Sequence, residues 1–273
     1  MSIRTTALTI SALTATAALT VSCTGAGAEA PAPQPSAHPT VVLVHGAFAD
    51  SSSWNGVIEE LHRDGYPVVA AANPLRGLQG DAAYVRSVLD HIDGPVVLAG
   101  HSYGGSVISE AADGDPDVTA LVYIASFILE AGESTGELAA KFPGAELGPA
   151  LDTVPYPLPG GGTADELYVK QPEFADVFAA DVPADVAALM AATQRPITAA
   201  ALADRASRTA WKQIPSWNLV TTDDLAIPAD SMRFMGERAG AHTVEVDASH
   251  AVTVSRPDVV ADLIDDAARS TSR

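Results

Sequence analysis

The segment GPVVLAGHSYGGSVI, residues Gly94 to Ile108, decides how the rest of the chain is read. An apolar run, Val96-Val97-Leu98-Ala99, ends in Gly100-His101-Ser102-Tyr103-Gly104-Gly105 and passes into a stretch that continues as a helix. Glycine weakens regular structure and is used where φ is positive or where another backbone must come close. A buried strand that turns through glycines into a helix therefore reads as a sharp corner presenting the Ser102 hydroxyl above a sheet, with a helix N-terminus behind it. In a chain with 21 glycines, Gly100-x-Ser102-x-Gly104 alone is a weak motif. The strand before it and the helix after it carry the reading.

Working outward, strand and helix patterns alternate. TVVLVHG (Thr40 to Gly46) is another continuous β-branched run closed by glycine, as expected of a strand covered on both faces. DSSSWNGVIEELHRDG follows, with Trp54, Val57, Ile58 and Leu61 at helical spacing and Gly65 as the stop. YPVVAA, DVTALVYIAS, IPSWNLVTT and HTVEV complete six strands, separated by helices that include Ala229 to Ala239 and RPDVVADLIDDAAR. Such alternation calls for a parallel sheet with right-handed crossovers and helices on both faces. The rhythm breaks from about Phe127 to Trp211, where a turn-rich stretch is followed by PEFADVFAAD, PADVAALMAATQ and PITAAALADRAS, each opening with proline. TADE (Thr163 to Glu166) has the form of a capping box. The break reads as a helical insertion into one domain that runs from residue 40 to 273.

With 273 residues and 47% hydrophobic content, the chain can bury a large core. A net charge of −19, from 15 Lys+Arg against 34 Asp+Glu, leaves no basic patch for nucleic acid. The first residues have the order of a secretory signal: Arg4, a weakly apolar run too short to span a membrane, and small residues with Ala26 and Ala28 in an A-x-A arrangement. A signal over residues 1–28 with cleavage before Glu29, then a Pro/Ala-rich linker over 29–39, predicts export. Cys23, the only cysteine, lies in that segment, so the body of the chain has no internal disulfide. Val21-Ser22-Cys23 also resembles a lipoprotein lipobox, which leaves release into the medium and a lipid anchor at Cys23 both open.

A serine hydroxyl is a weak nucleophile at neutral pH and needs a base, with a carboxylate behind it. His250, in the polar loop VDASHAVTVSRPD after the last strand, is the candidate base, and TTDDLAIP supplies Asp223 and Asp224 after the preceding strand. Ser, Asp and His then stand at the carboxyl ends of three strands, where ligands bind in open α/β sheets. His45 and His101 are assigned to holding the surrounding loops, and the remaining histidines to the surface and the linker. The negative oxygen of a tetrahedral intermediate needs two backbone donors. One is expected from Tyr103 and the other from the His45-Gly46-Ala47-Phe48 loop, at Ala47 with Phe48 as the alternative. No clustered Cys/His set has ligand spacing, so no metal or organic cofactor is called for.

HGAF, GHSYGG, DLAIP and SHAVTVSRP, in this order, resemble the α/β-hydrolase superfamily over Thr40 to the C-terminus. HGAFADSSSW, NPLRGL and GHSYGG are most similar to a small bacterial serine esterase-like branch related to plant methylesterases and hydroxynitrile lyases. The resemblance implies a Ser102, Asp224, His250 triad, Asp224 being preferred because the family acid stands shortly before an apolar residue and proline. The usual antiparallel hairpin ahead of the first core strand is absent, which predicts a six-stranded, all-parallel sheet beneath the helical insertion. Ala251 stands where the resembling lyases have lysine, which weakens that activity. The implied reaction is hydrolysis of small to medium apolar carboxylic esters through an acyl-enzyme. Hydrolysis of lactones, thioesters or C–C bonds, lyase or peracid chemistry, and ligand binding without turnover are the alternatives. Phe48, Phe142, Tyr156, Tyr168, Phe174, Phe178 and Met190 are the expected lining of an apolar pocket.

Overall fold

A computed structural model describes residues 38–272; the expected export signal, most of the linker and the Cys23 anchor lie outside the described residues. Nine strands are present among the described residues: β1 Thr40–Val44, β2 Val68–Ala71, β3 Val96–His101, β4 Val118–Ile124, β5 Leu151–Pro157, β6 Thr163–Val169, β7 Ile197–Thr198, β8 Ser216–Thr221 and β9 His242–Val246. The helices are α1 Asn55–Arg63, α2 Leu78–Leu89, α3 Tyr103–Ala111, α4 Thr135–Ala139, α5 Gln171–Phe178, α6 Ala184–Thr193, α7 Ala199–Ala203, α8 Ala229–Ala239, α9 Val252–Ser255 and α10 Pro257–Thr271. Among the described residues no helix is long and apolar enough to cross a membrane.

Six strands form one parallel sheet in the order β2-β1-β3-β4-β8-β9. The central strand β3 is buried at every residue, because α3 covers one face and α10 the other. This is why its sequence is an unbroken apolar run without polar alternation. From β1 the chain moves outward to β2, then returns past β1 to β3, so the strand order reverses between β1 and β3. A crevice opens at such a switch point beyond the carboxyl ends of the strands. The His45–Phe48 loop and Ser102 both lie there, their strands locked in register by Val44 pairing with Gly100.

The insertion between β4 and β8 differs from the helical expectation. It contains α4 to α7, but also a three-stranded antiparallel sheet in the order β5-β6-β7. TADE is not a capping box; it opens β6 and pairs with β5 through a turn in which Gly161 and Gly162 take φ of +90° and +82°. Pro155 and Pro157 disguise β5, and the fold tolerates them because β5 is an edge strand whose outer amides pair with nothing in the sheet. PITAAALADRAS likewise begins as β7, with α7 starting only at Ala199. The capping box in this region is Ser134 with Glu137 at the start of α4.

Candidate active site

Ser102 sits between β3 and α3 with φ 53° and ψ −126°, a conformation that costs a non-glycine residue on the order of 1–3 kcal/mol. Four bonds hold it there. Its amide donates to the Ile124 carbonyl (3.1 Å), and its carbonyl accepts from the Gly105 amide (3.0 Å), the Phe127 amide (3.4 Å) and the Ser126 hydroxyl (2.7 Å). The corner also depends on the absence of side chains. A Cβ on Gly100 would lie 2.6 Å from the Gly104 carbonyl oxygen, and one on Gly46 would lie 2.6 Å from the Ser102 Cβ. Both are closer than real Cβ contacts, so the close approach at these two positions requires glycine.

From Ser102 a hydrogen-bonded line runs inward. The His250 Nε2 is 2.9 Å from the Ser102 Oγ, and the His250 Nδ1 is 2.8 Å from the Asp224 Oδ2. Asp224 Oδ2 also accepts from the Thr221 hydroxyl (2.7 Å), while Oδ1 accepts from the amides of Ala226 and Ile227 (2.8 Å each). Burial pushes this carboxyl up, but the imidazole, the Ile227 amide and the Thr221 hydroxyl outweigh it and hold the group below the usual carboxylate range. An ionised Asp224 fixes the proton of His250 on Nδ1, leaving the Nε2 lone pair to accept from the serine hydroxyl. Asp223, by contrast, is exposed, and no hydrogen bond connects its side chain to His250.

His101 donates from Nε2 to the His250 carbonyl (2.9 Å), and the Ala251 amide donates to the Phe178 carbonyl (2.9 Å), so His250 is tethered on both flanks. The Phe178 ring stands edge-on to the imidazole with centroids 4.8 Å apart. His45 donates from Nδ1 to the Gly46 carbonyl at 2.9 Å. Burial lowers both of these histidines, His101 to about 3 and His45 to about 4, so each is neutral in the folded protein at neutral pH. Their folded values lie below the unfolded value of 6.5. The stability they contribute is therefore complete above pH 6.5 and is lost as pH falls towards 4 and then 3. Asp81, raised by burial, acts in the opposite sense. Unfolding free energy measured by urea titration should drop by about 4 kcal/mol between pH 7.5 and pH 5, since each histidine contributes a slope of about 1.4 kcal/mol per pH unit below 6.5. A flat profile over that interval would contradict the burial of neutral imidazoles.

Two amides border the serine. Tyr103 is the first residue of α3, so its N–H lies at the positive end of that helix. Its phenol donates to the buried Asp81 carboxylate (2.8 Å), which in turn accepts from the Arg76 amide, fixing Tyr103 from its far end. In the loop after β1, the Phe48 amide is spent on the Arg195 carbonyl at 3.0 Å. Ala47 therefore offers the free N–H of that pair, beside Ser102 and Tyr103 in the same cavity.

That cavity has a volume of about 340 Å³ and contains no charged side chain. Its walls are mostly small, among them Gly136, Ala139, Ala140 and Ala145, together with Leu147 and Leu202. Of the bulky residues expected to line it, Phe48 does. Phe142 instead packs on Phe234, Tyr156 lies under the Arg76 guanidinium, and Tyr168 donates to Glu166. Phe174 and Phe178 are fully buried behind His250, and Met190 faces a separate cavity. The space exists because α4 and the chain after it carry glycine and alanine, not because bulky side chains frame it. Small side chains leave no periodic signal of the room they create.

A sequence model of the alpha/beta hydrolase family matches residues 41–263. The chain belongs to the alpha/beta hydrolase family. It is similar to the alpha/beta hydrolase nvfD of Aspergillus novofumigatus, with 28% identity over 253 residues, covering 84% of this chain and 96% of that protein. A pyrethroid hydrolase of Sphingobium wenxiniae is 27% identical over 255 residues, covering 83% of this chain and 86% of its own. Among solved structures, polyneuridine aldehyde esterase superposes with a TM-score of 0.72 at 20% identity, over 84% of this chain and 98% of that one. Among the described residues no antiparallel hairpin precedes β1, and the first strand of the parallel sheet begins at Thr40. Family and relatives together support hydrolase chemistry.

Proposed function

We propose that the protein is a serine carboxylic-ester hydrolase acting on small to medium apolar esters. The observation that carries this reading is the unbroken Ser102–His250–Asp224 line ending in an uncharged cavity bordered by two amides. His250 Nε2 takes the Ser102 proton as Oγ bonds to the ester carbonyl carbon, and Asp224 stabilises the imidazolium that results. The carbonyl oxygen, now negative, is held by the amides of Ala47 and Tyr103; donors of this kind are worth roughly 100–1,000-fold each. Collapse breaks the bond to the alkoxy oxygen, which leaves with the Nε2 proton as an alcohol. Water then adds to the acyl-enzyme, gives a proton to His250, and the carboxylic acid departs as Ser102 recovers its own.

The absence of any charged group in the lining favours neutral substrates, because a carboxylate or ammonium buried there would lose its hydration without a partner. The reading is tested with a fluorophosphonate probe and p-nitrophenyl esters. Purified protein should be labelled at one site, located by mass spectrometry at Ser102, and should release p-nitrophenol from short-chain esters until labelled. Turnover that survives complete labelling, or label at another serine, contradicts it.

A further inference from the structure

The hydroxyls of Ser102, Tyr103 and Thr135 line the catalytic cavity, and no other side chain in its wall carries a polar atom. Two of them are committed elsewhere. Ser102 is bonded to His250, and the Tyr103 phenol donates to Asp81. The third belongs to Thr135, the first residue of α4, which is only 3% exposed and bonds the Ser106 hydroxyl at 3.0 Å. Through Ser106, Thr135 is tied to α3 one helical turn beyond the serine, about 5.4 Å along the axis. Its backbone is fixed as well: Ser134 and Glu137 cap α4 reciprocally, and Glu137 pairs with Arg205 at 2.6 Å.

Two hydroxyls carry two O–H donors, and the bond between Ser106 and Thr135 uses one. Neither oxygen has another hydrogen-bond partner among the described residues, so one donor is left over. If Thr135 donates, the spare proton is on Ser106, which is buried and outside the cavity wall, where a donor without an acceptor is costly. If Ser106 donates, the spare proton is on Thr135, in the wall, where a ligand can accept it.

We propose that Thr135 is a specificity-determining residue whose hydroxyl donates to an oxygen acceptor, a ketone or ether oxygen, that the substrate carries besides its scissile carbonyl. This rests on the ester-hydrolase reading above and narrows its substrate class to esters with one neutral oxygen in the arm that fills the cavity. A matched oxygen regains there the bond it gave up in water, whereas an all-hydrocarbon arm leaves the hydroxyl unmet. With Thr135 anchored one turn from the serine, an oxygen a few bonds from the scissile carbon is in reach, as in a 4-oxopentanoyl chain.

The test is kcat/KM for two matched pairs in the parent, Thr135→Val and Thr135→Ser. One pair is p-nitrophenyl 4-oxopentanoate against p-nitrophenyl pentanoate; the other is 4-oxopentyl acetate against pentyl acetate, followed by acid release. Comparing the oxo-to-plain ratio between proteins cancels the intrinsic reactivity of each ester. In Thr135→Val, which keeps the shape and removes the hydroxyl, the ratio should fall by about fivefold or more for at least one pair, the worth of one neutral hydrogen bond. In Thr135→Ser it should stay within about twofold of the parent. Ser106→Ala combined with Thr135→Val leaves no orphaned hydroxyl, should show the same fall, and carries the test if Thr135→Val does not fold. Ratios unmoved for both pairs in a folded variant without the Thr135 hydroxyl overturn the proposal. An equal fall in Thr135→Ser also overturns it, since the lost methyl is then responsible. A parent that cleaves none of the four esters overturns the ester reading itself, which separates that failure from failure of the Thr135 contact.

Discussion

Ser102→Ala should fold as the parent does and hydrolyse p-nitrophenyl butyrate at least ~10⁴-fold more slowly in kcat. The size of the loss follows from what disappears. Without the hydroxyl no acyl-enzyme can form, and the His250 Nε2, 2.9 Å from the missing oxygen, has no proton to take. What survives is the pair of amides and the cavity, which can still bind and polarise an ester for attack by water, worth roughly 10³–10⁴ over the uncatalysed reaction. Little stability should be lost, because the four bonds that hold the corner all involve the backbone of residue 102. A melting temperature within a few degrees of the parent, together with vanished fluorophosphonate labelling, is the expected pair of results. Undiminished turnover in this variant would remove the serine mechanism altogether.

Asp224→Asn should lower kcat by roughly 10³–10⁴-fold at neutral pH, whereas Asp223→Asn should stay within about twofold of the parent. The asymmetry comes from the amides of Ala226 and Ile227. Both donate to Asp224 Oδ1, so an asparagine here must keep its carbonyl oxygen at that position and turn its NH₂ toward His250. The imidazole then accepts at Nδ1 and carries its proton on Nε2, where it can no longer take one from Ser102. The change is a tautomer switch with little loss of packing, so the variant should remain folded. Asp223 is exposed and makes no side-chain bond to the line. Equal losses at the two positions, measured with the same ester, would place the acid elsewhere.

Much of this site is legible along the chain. The Gly-x-Ser-x-Gly corner is written within a dozen residues: a strand buried on both faces must be apolar throughout, and a turn that tight must use glycine where backbones meet. His250 is legible for a related reason, as a histidine in a polar loop after the last strand with every carboxylate candidate before it. The all-parallel sheet follows from the alternation of strand and helix patterns, each a local property of periodicity.

Other features depend on groups distant in sequence. Asp223 and Asp224 are chemically identical neighbours, and only the backbone path after β8 turns one carboxylate toward His250 and the Ile227 amide. The Phe48 amide is taken up by the Arg195 carbonyl, which arrives from the insertion, and the Ala47 amide is not. The hairpin of β5 and β6 was hidden because proline and glycine advertise turns, while the pairing that satisfies its backbone is non-local. Large aromatics do not locate the pocket, because bulk is visible in a sequence and empty space is not.

By itself, then, the sequence determined the strand order's building blocks, the strained serine and the candidate histidine, since burial period and backbone permissiveness are carried by each residue and its near neighbours. Only the tertiary structure decided which carboxylate bonds His250, which amide of the loop after β1 is left free, and where a cavity lies. Those depend on which distant groups reach the same few ångströms, and hydrogen-bond geometry and packing volume exist only once the chain has folded.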